Sequence, residues 1–149
     1  MAEERVEYDV VIVGAGPAGL TAAIRLKQLN PATRIALLEK DSNIGSNIVS
    51  GCVLQPSALE ALLPDWQQMS PPPYQSVHAD QFWLLSARRR WRLPIPRWMK
   101  NQGNIIISLS QFCKWLGGIA DTKGIDVFPG FAATQLCHQG EQVIGVKTG

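Results

Sequence analysis

Cysteine and histidine are scarce: Cys52, Cys113 and Cys137, with His78 and His138, are all that 149 residues carry. An odd number of widely spaced cysteines builds no closed disulfide framework. Three thiolates also fall short of the four that an ordinary iron–sulfur cluster takes. Free buried thiols in a reducing compartment are the expectation. Neither histidine has Cys, Asp or Glu at ligand spacing, so no metal site is expected. Charge is sparse as well, at 17% of residues and a net +2, too little to call for a polyanionic partner. No window approaches the ~20 consecutive apolar residues of a transmembrane helix. The opening Met1-Ala2-Glu3-Glu4-Arg5 is acidic and precedes no apolar run. That argues against a secretory signal and against an Arg-rich transit peptide. No internal repeat is present, and no nucleophile–base pair stands out, so no catalytic side chain is assigned.

What the sequence does have is core: 46% of residues are apolar, enough for about one domain. Tyr8 to Val13 is a β-branched run that reads as a buried parallel strand. A helix is predicted from Pro17 to Gln28, with Gly19, Ala22, Ala23, Leu26 and Leu29 on its inner face. Asn30-Pro31 ends it, and Arg34 to Glu39 reads as a second strand. Ser57 and Glu60 have capping-box spacing for a short helix from Ala58 to Leu63. Phe82 to Ser86 and Trp91 to Leu93 suggest a hairpin inside a stretch rich in Pro, Arg and Trp. Ile105 to Ile107 is apolar, and a second capping-box pair, Ser108 and Gln111, opens a helix through Leu109, Phe112, Cys113, Leu116, Ile119 and Ala120. Gly124 closes that helix, Ile125 to Phe128 reads as a strand, and Ala132 to Cys137 with Val143 to Lys147 as a hairpin about Gln139-Gly140-Glu141.

Chemistry concentrates near the start. Gly14-x-Gly16-x-x-Gly19 follows a strand and opens a helix, the one context in which this common triplet carries a mechanism. The first glycine permits a tight turn, and the second lets backbone approach a pyrophosphate. The third, with Ala23, allows close helix–strand packing. The helix amides and dipole then face the phosphates. Pro17 is tolerated because its missing N–H would have been unpaired in the first turn. Glu39 ends the second strand about 20 residues on, where a carboxylate accepts from a ribose 2′-hydroxyl and repels a 2′-phosphate. Small residues at Ile44-Gly45 and Ser50-Gly51 would let a longer ligand run past the ribose, which favours FAD over NAD. The expected architecture is α/β: an incomplete Rossmann-like FAD-binding domain of the glutathione-reductase-like type, with an added β-hairpin or meander.

The block Asp9 to Leu20, with Arg25 to Leu29 and Glu39-Lys40, resembles the electron-transfer flavoprotein–ubiquinone oxidoreductase family. Ser50-Gly51, Leu63-Pro64-Asp65-Trp66, Gly103-Asn104 and Asp126 to Ala133 resemble it too, so the likeness covers nearly the whole chain. The first block is common to many FAD enzymes, whereas the Pro-Asp-Trp and Pro-Gly-Phe-Ala-Ala blocks are more particular. The resemblance implies a monotopic membrane flavoenzyme, and the missing transit peptide points to the cytoplasmic face of a bacterial inner membrane. It would take electrons singly from reduced electron-transfer flavoprotein and pass them to ubiquinone through FAD and a [4Fe–4S] cluster. Carried over, Gly14, Ala15, Gly16, Pro17, Ala18 and Gly19 would bind the pyrophosphate, and Glu39, followed by Lys40, the adenosine ribose. Gly45, Ser50 and Gly51 would line the flavin side, and Ala133 the adenine. Residues 45–66 would face membrane and quinone, through Leu59, Leu62, Leu63 and Trp66, although their spacing alone favours a core helix and only the resemblance reverses that order. The family carries His, Asp and His where Asn47, Gln55 and Gln102 stand, departures that touch contacts near the quinone rather than FAD. Its quinone and cluster regions are expected beyond Gly149, so these residues alone are expected to be inactive and to hold flavin poorly.

Arg88-Arg89-Arg90, with Arg92, Arg97 and Lys100 among Trp91 and Trp98, reads first as a solvated hairpin face. Anionic headgroups come second; no nucleic-acid motif accompanies the run, and no nucleic-acid partner is expected. Two other functions share the same opening unit: an FAD-dependent hydroxylase or prenyl reductase, and a non-catalytic fragment.

Overall fold

The computed structural model describes residues 5–49 and 51–149. They fall into two compact units, Met1–Ser50 with Leu109–Gly149, and Gly51–Ser108, where sequence length suggests one.

In the first unit, β1 (Val10–Val13), α1 (Pro17–Leu29) and β2 (Ile35–Glu39) form the anticipated βαβ unit. β1 pairs in parallel with β2, Val10 opposite Ile35 and Val13 opposite Leu38. Parallel neighbours need a crossover of this length, and α1 supplies it. α1 buries Leu20, Ala23 and Ile24, not the predicted stripe through Ala22, Leu26 and Leu29; Leu29 is 67% exposed. The helix is rotated so that Gly19 meets the Gly-rich turn, which puts the i, i+3, i+4 set starting at Leu20 on the core. Lys27 shares that side and donates from Nζ to the Thr33 carbonyl at 2.7 Å, pinning the link into β2.

The second unit occupies Gly51–Ser108. Its β3 (Cys52–Leu54) and β4 (Tyr74–Ser76) flank a later strand of three isoleucines, β7 (Ile105–Ile107), antiparallel on both sides. α2 (Pro56–Leu62) starts with Pro56 at its first turn and Gln55 as cap, rather than with Ser57. A proline there fixes a helical φ where no N–H is needed, which displaces the capping-box register. Leu59, Leu62, Leu63 and Trp66 are all buried, Trp66 to 1% exposure, and the Trp66 and Tyr74 rings lie 5.2 Å apart. These four side chains are packed as core, the alternative that their helical spacing allowed. The hairpin of β5 (Phe82–Leu85) and β6 (Arg90–Leu93) forms as predicted, and Asp80 holds its base by accepting from the Asn101 backbone at 2.8 Å.

The chain returns to the first unit with α3 (Leu109–Thr122), which buries Phe112, Cys113, Leu116, Ile119 and Ala120 as predicted and packs on α1. Gly124 turns the chain at φ +73°, and β8 (Asp126–Pro129) joins the parallel sheet beside β2, giving the order β1-β2-β8. β2 is buried up to its last residue, but Val13 of β1 is 58% exposed, so the predicted burial of the first strand does not hold. Among the described residues β1 has a neighbour on one side only. The unit ends in the hairpin β9 (Ala133–Gln139) and β10 (Gln142–Thr148), longer than predicted and turned at Gly140.

Candidate functional site

The parallel order fixes where a ligand would sit, since open α/β sheets bind at the carboxyl ends of their strands. Val13 and Glu39 end β1 and β2 on the same side, and the turn Gly14–Gly16 crosses there into α1. The three glycines do different work. Gly14 has φ +100°, a conformation L side chains rarely adopt, and its N–H donates to the Leu38 carbonyl at 2.7 Å. A methyl at Gly19 would lie on the Gly14 carbonyl oxygen and 3.3 Å from Ile12 Cγ2, so this glycine seats helix on strand. Gly16 caps α1 with ordinary φ −77°, and a Cβ built there meets nothing within 4 Å. Neither backbone nor packing requires glycine at 16; the space beside it faces outward from the turn.

α1 has no side-chain cap and no acidic residue in its first turn. Pro17 brings no N–H, and the Ala18 and Gly19 amides have no acceptor within the helix. These donors and the dipole suit an anion. Beside them, Glu39 is held from two directions: the Ala15 N–H donates to Oε2 at 2.8 Å and the Asp41 N–H to Oε1 at 3.1 Å. A carboxylate has about four lone-pair sites, so about two remain, one per oxygen, for a pair of vicinal hydroxyls. The residues thus fit a nucleoside diphosphate: backbone donors for phosphate, a carboxylate for ribose, and room at Gly16 for close approach.

The other predicted positions divide. Lys40 is exposed beside Glu39. Gly130 N–H donates to the Asp41 carbonyl at 2.7 Å and Phe131 N–H to the Glu39 carbonyl at 2.9 Å. This brings the start of β9, with Ala133, to the end of β2. Gly45 is buried at φ +80°, and a Cβ there would be 2.7 Å from the Ser110 carbonyl. Its smallness serves packing against α3, where Ser110 Oγ donates to the Gly45 carbonyl at 2.7 Å. Gly51 belongs to the second unit, and Ser50 lies outside the described residues. Asp41 and Ser110 were not predicted, and Asn47, expected near the quinone, donates from Nδ2 to Asp41 Oδ1 at 2.6 Å instead. The run Asp41-Ser42-Asn43 after a strand-end acid signals an Asx-type turn, but Ser110 is 65 residues from its partner and has no local signal.

Elsewhere, the Cys52 thiol is pushed above its ordinary pKa by burial. No group of three His, Cys, Asp or Glu among the described residues is placed to hold a metal. A cleft of about 770 Å³ between Val6–Val11 and the β9–β10 hairpin contains none of the residues of the Gly-rich turn.

Residues 1–59 match the Thi4 family model. Over nearly its whole length the chain aligns with proteins of one name. It is 45% identical over 150 residues to "Electron transfer flavoprotein-ubiquinone oxidoreductase, mitochondrial" of Oryza sativa subsp. japonica, covering 97% of this chain and 26% of that protein. It is 42% identical over 158 residues to "Electron transfer flavoprotein-ubiquinone oxidoreductase" of Pseudomonas aeruginosa, covering 100% and 29%. The chain is a relative of these oxidoreductases. It spans about a quarter of their length. In fold it is similar to a geranylgeranyl bacteriochlorophyll reductase-like protein from Thermoplasma acidophilum, at 22% identity and a TM-score of 0.66 over 95% of this chain and 34% of the other. The fold is accordingly α/β with a Rossmann-like βαβ unit, as the sequence predicted.

Proposed function

We propose that the chain is the FAD-binding portion of an oxidoreductase that passes electrons from reduced electron-transfer flavoprotein to ubiquinone. The observation that carries the flavin half is the open backbone at Gly16 beside a doubly held Glu39. The kinship of sequence carries the rest. FAD, when bound, would supply a centre able to take up and release electrons singly. In this reading the Ala18 and Gly19 amides hold the pyrophosphate and Glu39 the adenosine ribose, flanked by Lys40. Ala133 borders the adenine. The [4Fe–4S] cluster that the resemblance implies takes four thiolates, so its ligands would not be Cys52, Cys113 and Cys137 alone. A hydroxylase or prenyl reductase would share the cradle; the 42–45% identities favour the first reading.

The same proposal places the protein on a membrane, at the cytoplasmic face of a bacterial inner membrane. Support comes from the second unit's exposed residues. On the β5–β6 hairpin Leu84 and Trp91 pair on one face, while Leu85 pairs with Arg90 and Trp83 with Arg92 on the other, and Trp98 beyond it is 87% exposed. Exposed apolar side chains on a hairpin that also carries arginines suit an anionic interface.

The test is a graft. Residues 1–149 replace the matching segment of the Pseudomonas aeruginosa relative, and ubiquinone reduction by reduced electron-transfer flavoprotein is followed. The graft is expected to bind FAD and turn over. Glu39→Gln, which loses one acceptor oxygen, is expected to weaken FAD by about 1–3 kcal/mol. A folded graft that binds no FAD contradicts the cradle; one that binds FAD but reduces no quinone contradicts the electron route.

A further inference from the structure

Two residues past Glu39, Asp41 makes three contacts at once. Its N–H donates to Glu39 Oε1 at 3.1 Å, and its carbonyl accepts from Gly130 N–H at 2.7 Å. Its carboxylate Oδ1 accepts from Asn47 Nδ2 at 2.6 Å. Asp41 is therefore the joint between the strand-end acid, the end of β8 and the loop that closes at Asn47. We propose that Asp41 and Asn47 are positioning residues for ribose recognition. Their side-chain bond closes residues 41–47 into a loop, and the closed loop keeps the Asp41 N–H on Glu39.

The physical argument is preorganisation. A glutamate side chain at a strand end has several rotamers, and fixing one on binding costs conformational entropy. Here Ala15 N–H fixes one oxygen and Asp41 N–H the other, so the carboxylate is aimed before any ligand arrives. The second donor is only as well placed as the backbone that carries it. That backbone leaves the sheet at Glu39 and is tied again through the Gly130 contact and through Asn47. The far side of the loop is anchored separately, by Ser110 Oγ on the Gly45 carbonyl. Asn47 is a neutral donor to an anion, a stronger bond than a neutral pair gives. It also leaves the Asp41 charge in place next to Glu39, which adds to the repulsion of a 2′-phosphate.

This proposal rests on the nucleotide-binding reading, and ADP titrated into the 149-residue protein separates the two. Asn47 is exposed, so Asn47→Ala is expected to leave the thermal midpoint unchanged while weakening ADP about 3–10-fold. Asn47→Asp sets two carboxylates against each other. It is expected to weaken ADP further, with the ratio to wild type narrowing as salt screens the repulsion. Asp41→Ala combined with Asn47→Ala is expected to bind no more weakly than Asp41→Ala alone. Wild-type affinity in Asn47→Ala, or losses that multiply in the double variant, would overturn the positioning role while leaving the cradle standing. A wild-type protein that binds no ADP overturns both.

Discussion

A methyl group at position 16 would touch no protein atom within 4 Å, whereas one at position 19 would collide with the Gly14 carbonyl. The two glycines of one motif therefore answer to different demands, and substitution separates them. Gly19→Ala is expected to cost about 3 kcal/mol or more of stability, because backbone has to shift to admit it. Gly16→Ala is expected to keep wild-type stability to within about 1 kcal/mol and to lose nucleotide affinity. Thermal melts with and without ADP check both; equal affinity in Gly16→Ala would mean that the open space serves no ligand. At this scale the cradle was legible because each member acts through its immediate neighbours: a turn, a helix start, a strand end. Asp41 and Asn47 were not, since an acid and an amide six residues apart pair only once the loop has closed. The packing of Gly45 on Ser110 has no local signal either, its partner being 65 residues away.

Among the elements, α3 was legible throughout because its apolar residues occupy a single face. α1 offers apolar residues on more than one face, and the choice among them is made by Gly19 docking on the turn, a contact outside the helix's own periodicity. α2 shows the deeper limit. Leu59, Leu62, Leu63 and Trp66 have the same pattern whether they meet protein or lipid, and the structure buries them in protein. The most exposed large apolar residues of the second unit are Leu85 at 71% and Trp98 at 87%. Cosedimentation with vesicles containing anionic lipid tests that face. Changing Arg88, Arg89 and Arg90 to Gln is expected to reduce binding by about 1 kcal/mol per arginine, and salt is expected to have the same effect. Leu85→Ser with Trp98→Ser is expected to reduce the part that salt leaves. Wild-type protein that stays in the supernatant at low salt would contradict the membrane reading.

Across the whole molecule, the parallel sheet was legible and the division into two units was not. The break at Gly51 and Leu109 encloses a segment whose strands pair only with one another; its Pro, Arg and Trp richness marks a change of composition without fixing either boundary. The sheet has β1 at one edge with Val11 and Val13 exposed, while the cleft beside it belongs to the hairpin and not to the Gly-rich turn. The central claim is that this molecule binds the ADP half of a flavin dinucleotide at the ends of β1 and β2. The most direct measurement is the backbone amide spectrum of the 149-residue protein titrated with ADP. Saturable shifts are expected at Gly14, Ala15, Gly16, Ala18 and Gly19, and at Glu39 and Asp41. Saturation with the shifts confined to residues 51–108, or no shift at all up to millimolar ADP, would contradict it.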